Sequence, residues 1–384
     1  MHKKKILHIC VSAHFTEGLL YQDNMLAICH RLDGHEVIVI SDCQKYEDGC
    51  LVETPEEDIV LSDGVRLIRI SFANVINRKI TNKIRYSEKL KKIIINERPD
   101  IILHHGISGF SLLSLRAYKK FNSNCKIYLD THKDFNNSPG GFLSTHILHG
   151  FFNKILLKSI APFVEKILCV SLECQEFTKE VYGVRDDKTE LYPLGGLIVS
   201  HHDKLHYREV IRERHGIGPD ELVVCHSGKL SKDKRTLELI TALGRLKGKR
   251  IKLIILGSIS DDYKDEIMKP ISEDKRIIYL EWVSGGDLIK YLSAADLYLQ
   301  PGTQSATMQA ALCSGTPVAI YPYKSHIRYL EFKSGFFVEN IEDIMKVLSF
   351  SYDNRNILEE MSRNAYACAE ALLDYRRLAR RVYS

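Results

Sequence analysis

The chain has 384 residues, enough for two ordinary domains. Its 45% hydrophobic and 27% charged content is that of a folded globular protein, and a formal net charge of +5 does not call for nucleic acid as a partner. The 10 cysteines form no C-x-x-C pair, which argues against structural zinc and a disulfide framework, and no stretch is long and apolar enough to span a membrane.

The basic start, through Lys5, is followed by an apolar run broken at His8 and His14, with no small-residue cleavage site. No secretory signal is expected, and the scattered cysteines fit a reducing cytoplasm. Residues 6–12 read as a buried strand, 21–32 as a helix and 34–41 as a second strand. That order is a βαβ unit and implies a parallel sheet. Gly18, in the loop after the first strand, lacks the remainder of a G-x-G-x-x-G fingerprint and reads first as a plain turn. Strands follow at 65–71, 100–104, 126–130, 166–171 and 189–192, with helices at 83–97, 109–121 and 172–182. The whole fits one doubly wound domain.

His132 follows the 126–130 strand directly, at the carboxyl end where open α/β sheets bind ligands. It reads either as a loop histidine or as a group that touches a sugar or carries a proton. His104 and His105 carry the same two readings. Two segments, 83–92 and 142–158, mix apolar and basic residues as interfacial helices do, and as ordinary amphipathic helices also do.

PLGG at 193–196 marks a domain boundary. A charged helix over 201–218 leads into LVVCHSGKLSKDK, residues 222–234. There a buried strand ends at Gly228, Lys229 and Lys234 follow, and a helix begins after Arg235. Amides at a helix start and ammonium groups both favour phosphate, so this turn reads either as an anion site or as a lysine-rich surface loop. Strands at 250–257, 277–280 and 296–300 alternate with helices at 263–269, where Pro270 is expected to stop the helix, and at 285–293. PGTQSATMQAALCSGTPVAI then gives a loop (Gly302, Thr303, Gln304, Ser305), a short helix and a strand. Residues 342–384 read as mostly helical. The expectation is two Rossmann-like, doubly wound parallel-sheet domains facing across a cleft.

Taken together, Gly18, GHEVIVIS, DIILHHG, DTHKDF, SGKLSKDK, YLEWVS, SAADLYLQPG and QAALCSGTPV resemble the GT-B glycosyltransferases, in particular the retaining enzymes of glycosyltransferase family four. The resemblance implies domains at 1–193 (acceptor side) and 194–364 (nucleotide-sugar side), with 365–384 crossing back to the first. It implies a nucleotide diphosphate sugar as donor, no bound cofactor and no metal. Lys229 and Lys234 match the pair that grips the donor diphosphate, beside Gly228. His132 matches the first-domain histidine near the donor sugar. Val283 matches the turn against the nucleobase, and Gly302, Thr303, Gln304 and Ser305 match the loop beside the donor.

The chain departs from the family at its two glutamates. Gln309 or Ala310 stands where the second would fall, and Gly302 or a polar neighbour stands for the first. Gln309 can still hydrogen-bond ribose but carries no charge. The implied activity is metal-independent, retaining transfer of a hexose or N-acetylhexosamine to a glycan or lipid-linked acceptor, in cell-surface polysaccharide synthesis. The setting would be the cytoplasm, with peripheral contact to the inner face of the plasma membrane. A nucleotide-sugar 2-epimerase of the same fold and a non-catalytic homologue acting as a binding partner are the alternatives.

Overall fold

The structure is a computed structural model that describes residues 2–47, 50–73, 84–135 and 153–384. By its contacts the chain forms two compact units: Met1–Pro193 with Tyr375–Ser384, and Leu194–Asp374.

The first unit is built on β1 (Lys5–Cys10), β2 (Glu36–Asp42), β5 (Glu57–Val60), β6 (Arg66–Ile70), β7 (Ile101–His105), β8 (Lys126–Thr131), β9 (Lys166–Cys169) and β10 (Thr189–Leu191). They form an 8-stranded sheet in the order β10-β9-β8-β7-β1-β2-β6-β5. Near-continuous burial of β1, β2 and β7 is what a parallel sheet covered on both faces requires. The order reverses at β1, whose neighbours are β2 and β7, so the switch point lies between the ends of β1 and β7.

One edge departs from the expectation. β5 pairs antiparallel with β6, and β3 (Gln44–Glu47) with β4 (Cys50–Glu53) forms a separate antiparallel hairpin. These strands are short and largely exposed, so no buried apolar run marked them in the sequence. Within 83–97 only Glu88–Glu97 is a complete described helix, with Leu90 and Ile94 buried and Lys89, Lys91 and Lys92 exposed. Most of the 142–158 segment lies outside the described residues. Its described end, Lys154–Ile160, is helical and buries Leu156, Leu157 and Ile160.

The second unit carries β11 (Leu222–Ser227), β12 (Ile251–Leu256), β13 (Ile277–Leu280), β14 (Leu297–Gln300), β15 (Val318–Ile320) and β16 (Gly335–Phe337). Their order, β13-β12-β11-β14-β15-β16, is that of a doubly wound, Rossmann-like sheet with its switch point between β11 and β14. β11 divides its side chains by the two-residue strand period: Val223 and Cys225 enter one core cluster, Leu222 and Val224 the other.

Pro270 does not end its helix, which runs Asp261–Glu273. Ile267 and Ile271, one turn apart, are both buried, and their packing outweighs the one backbone bond that proline removes. The chain rejoins the first unit at Tyr375, later than the 365 expected from sequence. Ala365, Cys368, Ala369 and Leu373 are committed to the second unit's core.

Candidate active site

In the second unit, the turn after β11 and the loop after β14 close on each other at the switch point. Gly228 takes φ +136, a backbone setting that side chains rarely adopt. Its N–H donates to Leu256 O, at the end of the neighbouring strand. Gly302 lies so close to the other turn that a Cβ there would sit 2.0 Å from Asp233 O. Thr303 N donates to Asp233 O at 3.0 Å, and Lys234 Nζ donates to Thr303 O and Gln304 O at 3.0 and 3.1 Å. Gln300, held by Tyr298 Oη at 3.0 Å, donates to Thr303 O as well. Ser305 ends the loop as N-cap of the helix Ala306–Cys313, accepting from Thr307 N at 3.1 Å.

Six of the residues expected from sequence thus converge here: Gly228, Lys234, Gly302, Thr303, Gln304 and Ser305. Lys229 adjoins them on the turn and is exposed, whereas Lys232 between the two lysines is drawn off by Glu266 at 2.8 Å. Burial lowers the Lys234 ammonium to about 8. Near neutral pH the group is still largely charged, in a partly dehydrated setting.

Arg235 was not anticipated. It adopts φ +57 and reaches Glu339 O at 2.7 Å and Pro301 O at 3.3 Å, bracing both loops. Behind them, His226 bridges Leu299 O and Thr236 Oγ1 at 2.8 and 2.9 Å, and burial lowers it to about 4. Val283 sits half-buried in the turn after β13, packed on the core. Beside it Trp282, the single tryptophan of the chain, is 66% exposed.

Gln309 is 6% exposed, and its Oε1 accepts from Gly195 N at 2.8 Å. One end of the amide is thus committed to holding the PLGG turn, and only the other is left for a ligand.

Gly18 and His132 belong to the first unit. Gly18 is exposed in a loop pinned by Arg69, a side chain with no solvent exposure. Arg69 binds Glu17 and Glu57 at 2.6 and 2.8 Å and donates to Phe15 O at 3.0 Å. His132 is exposed just beyond β8.

Beneath it runs a buried relay. His105 Nδ1 meets Asp130 Oδ2 at 2.5 Å, and His105 Nε2 meets His8 Nδ1 at 3.1 Å. His8 Nε2 meets His30 Nδ1 at 3.0 Å, and His30 Nε2 meets Ala379 O at 3.0 Å. A carbonyl and an ionised carboxylate can only accept, so each of these contacts needs a ring proton. Working inward from Ala379, His30 and His8 each donate from Nε2 and accept at Nδ1. His105 must then donate from both nitrogens, as an imidazolium against the Asp130 carboxylate. Burial holds His8 well below the ordinary histidine range and His30 near 4. Burial opposes charge on His105 too, yet the Asp130 carboxylate bound to it holds it well above that range. His104, by contrast, is a core histidine bound to Gly106 O and Ser111 Oγ at 2.7 and 3.0 Å.

Two family models match this chain in tandem, Glycosyltransferase Family 4 over residues 25–195 and Glycosyl transferases group 1 over residues 207–367. The chain belongs to the GT-B glycosyltransferases of the family-four type. No curated protein matches it. Among solved structures, a glycosyltransferase from Rickettsia africae ESF-5 superposes with a TM-score of 0.72 at 15% identity, covering 99% of this chain and 97% of that one. Sucrose-phosphate synthase from Thermosynechococcus elongatus gives 0.73 at 14%, with 99% and 97% covered. HepE of Anabaena in complex with UDP gives 0.70 at 15%, with 98% of each chain covered. At these identities the likeness is one of fold, and it extends over the full length of the transferase.

Proposed function

We propose that the transferase moves a sugar from a nucleotide diphosphate sugar to a glycan or lipid-linked acceptor, in the synthesis of a cell-surface polysaccharide. The observation that carries the donor half is the closure of the β11 and β14 loops through Lys234, with Lys229 exposed on the same turn. Two ammonium groups at a sheet switch point stabilise a bound diphosphate and the charge that builds on it as the sugar–phosphate bond breaks. That role is the basis for a metal-independent reaction. Gln309 then bonds a ribose hydroxyl through its amide nitrogen, Val283 lies against the nucleobase, and His132 contacts the donor sugar. Retention of the anomeric configuration is the reading inherited from the family. The base stays open, since HepE is described with UDP-glucose and starch synthase IV with ADP.

Calorimetric titration with a panel of nucleoside diphosphates, without added metal, tests the donor site. Tight binding of one nucleotide that Lys229→Ala abolishes supports it. No binding at millimolar concentration would remove the donor assignment and favour the non-catalytic homologue. The epimerase alternative requires turnover without an acceptor. The His105–Asp130 pair does not favour it, because both side chains are only 5% exposed.

Delivery of a lipid-linked acceptor would bring the first unit to an anionic membrane face. The exposed lysines of Glu88–Glu97 suit such a surface. Sedimentation with anionic liposomes at low salt tests the contact, and absence of co-sedimentation would end it.

A further inference from the structure

The second unit holds a cavity of about 980 Å³ at the edge of its sheet opposite the donor loops. Gly228 and Gly302 follow the carboxyl ends of β11 and β14. The cavity is lined instead by Asp220, Arg250, Asp296 and Pro317, which precede β11, β12, β14 and β15.

Its wall holds more cation than carboxylate can answer. Arg208 and Arg355 grip the two oxygens of Asp296 at 2.7 and 3.0 Å, and Arg212, outside the lining, stands 3.7 Å from the same group. One carboxylate therefore faces three guanidiniums. Arg250 is matched by Asp220 at 3.2 Å, and the rim carries the exposed Arg363 and Glu359. Lys204 lies in the same wall. Its ammonium donates to Ser314 O and Gly315 O at 2.9 and 2.6 Å, and burial lowers it to about 7.

The Tyr366 ring lines the same wall and packs against Gly315. Guanidinium forks fit phosphate oxygens, and a cavity of this size accepts a small metabolite.

We propose that this cavity is a second ligand site of the chain, separate from the Lys229–Lys234 turn, and that it binds a phosphorylated sugar. The phosphoryl group lies against Arg208 and Arg355, and the sugar hydroxyls lie toward Glu359 and Ser362 of the same lining.

Calorimetry on the intact chain with glucose 6-phosphate, and in parallel with inorganic phosphate, tests this. Saturable binding of glucose 6-phosphate is expected in the wild type and equally in Lys229→Ala. It should weaken roughly tenfold or more in the double variant Arg208→Gln, Arg355→Gln, which leaves Asp296 to Arg212. Arg363→Glu is a milder check, since Arg363 joins no ion pair among the described residues, and a several-fold loss is expected. The site is overturned if neither probe binds the wild type, or if binding is lost in Lys229→Ala and untouched by the arginine variants. Equal affinity for the two probes would overturn the sugar-phosphate assignment.

Discussion

His105 and Asp130 close the ends of adjacent parallel strands with a 2.5 Å contact between two buried side chains. The pair heads a line of three imidazoles that ends on a backbone carbonyl of the C-terminal segment, at Ala379. Because both ends of the line accept, its proton inventory is fixed: His8 and His30 neutral, His105 doubly protonated.

Nitrogen-15 spectra of the imidazoles near neutral pH check that inventory. Two protonated nitrogens are expected on His105 and one each on His8 and His30. A neutral His105 would refute the assignment. Asp130→Asn removes the counter-charge from a buried imidazolium and should cost about 3–5 kcal/mol of stability. Cys10 and Asp23 also face His105, and Cys10, pushed up to about 11 by burial, stays a neutral thiol at that pH.

The same residues set the pH dependence of folding. His8, His30, His104 and His226 are all lowered, chiefly by burial. Between the unfolded value of about 6.5 and their folded values, the unfolded chain binds the extra protons, so stability falls as pH drops. Each such histidine contributes about 1.4 kcal/mol per pH unit across that window. His105 is raised, so its contribution is full below about 6.5 and is lost as pH climbs through its folded value. Denaturation midpoints across pH should therefore peak close to neutrality. His30→Gln should flatten the acid limb, and an unchanged slope would exclude His30 from it.

Lys234 should govern nucleotide affinity through its charge. Its folded value is about 8, so diphosphate binding should weaken as pH rises through 8, by up to about tenfold per unit. Lys234→Met removes the ammonium and its bonds to Thr303 O and Gln304 O, with an expected loss of roughly 10–100-fold. Trp282, exposed beside Val283, gives the readout as a change in fluorescence on binding. A pH-independent affinity would detach Lys234 from the site.

These loops show what sequence carries and what it does not. Strands such as β1, β7 and β11 were legible because both faces are buried, which leaves an apolar run. Gly228 and Lys229 were legible because the turn is local. The bond of Lys234 to Thr303 spans 69 residues, and that of His105 to His8 spans 97. No spacing rule reaches so far, and partners of this kind exist only once the sheet order is set. Arg69 is the clearest case. A strand arginine reads as solvent-facing, yet it is wholly buried because Glu17 and Glu57 converge on it from the loop after β1 and from an edge strand.

Gly302 marks how tightly the donor loop is closed. A methyl group there would meet Asp233 O at 2.0 Å and the Lys234 backbone at 2.7 Å, and neither can move without opening the turn. Gly302→Ala should abolish nucleotide binding and lower the thermal midpoint. Gly244→Ala is the contrast. It lies exposed in the helix Thr236–Arg245 with nothing within 4 Å of its added methyl, and it should stabilise by about 0.5–1 kcal/mol. Equal behaviour of the two variants would contradict the close approach.

Gln309 separates a structural duty from a binding one. Its Oε1 holds the Gly195 N–H at a buried position, so Gln309→Ala leaves that donor unpaired at a cost of about 1–3 kcal/mol. Gln309→Glu keeps an acceptor for Gly195 and replaces the amide nitrogen with a second carboxylate oxygen. Folding should therefore survive in Gln309→Glu. With the amide nitrogen donating to ribose, nucleotide affinity should fall in Gln309→Glu, and an unchanged or higher affinity would refute that role. Denaturation and nucleotide titration on both variants read the two duties apart. A Gln309→Ala variant with wild-type stability would show that the Gly195 bond does not hold the PLGG turn.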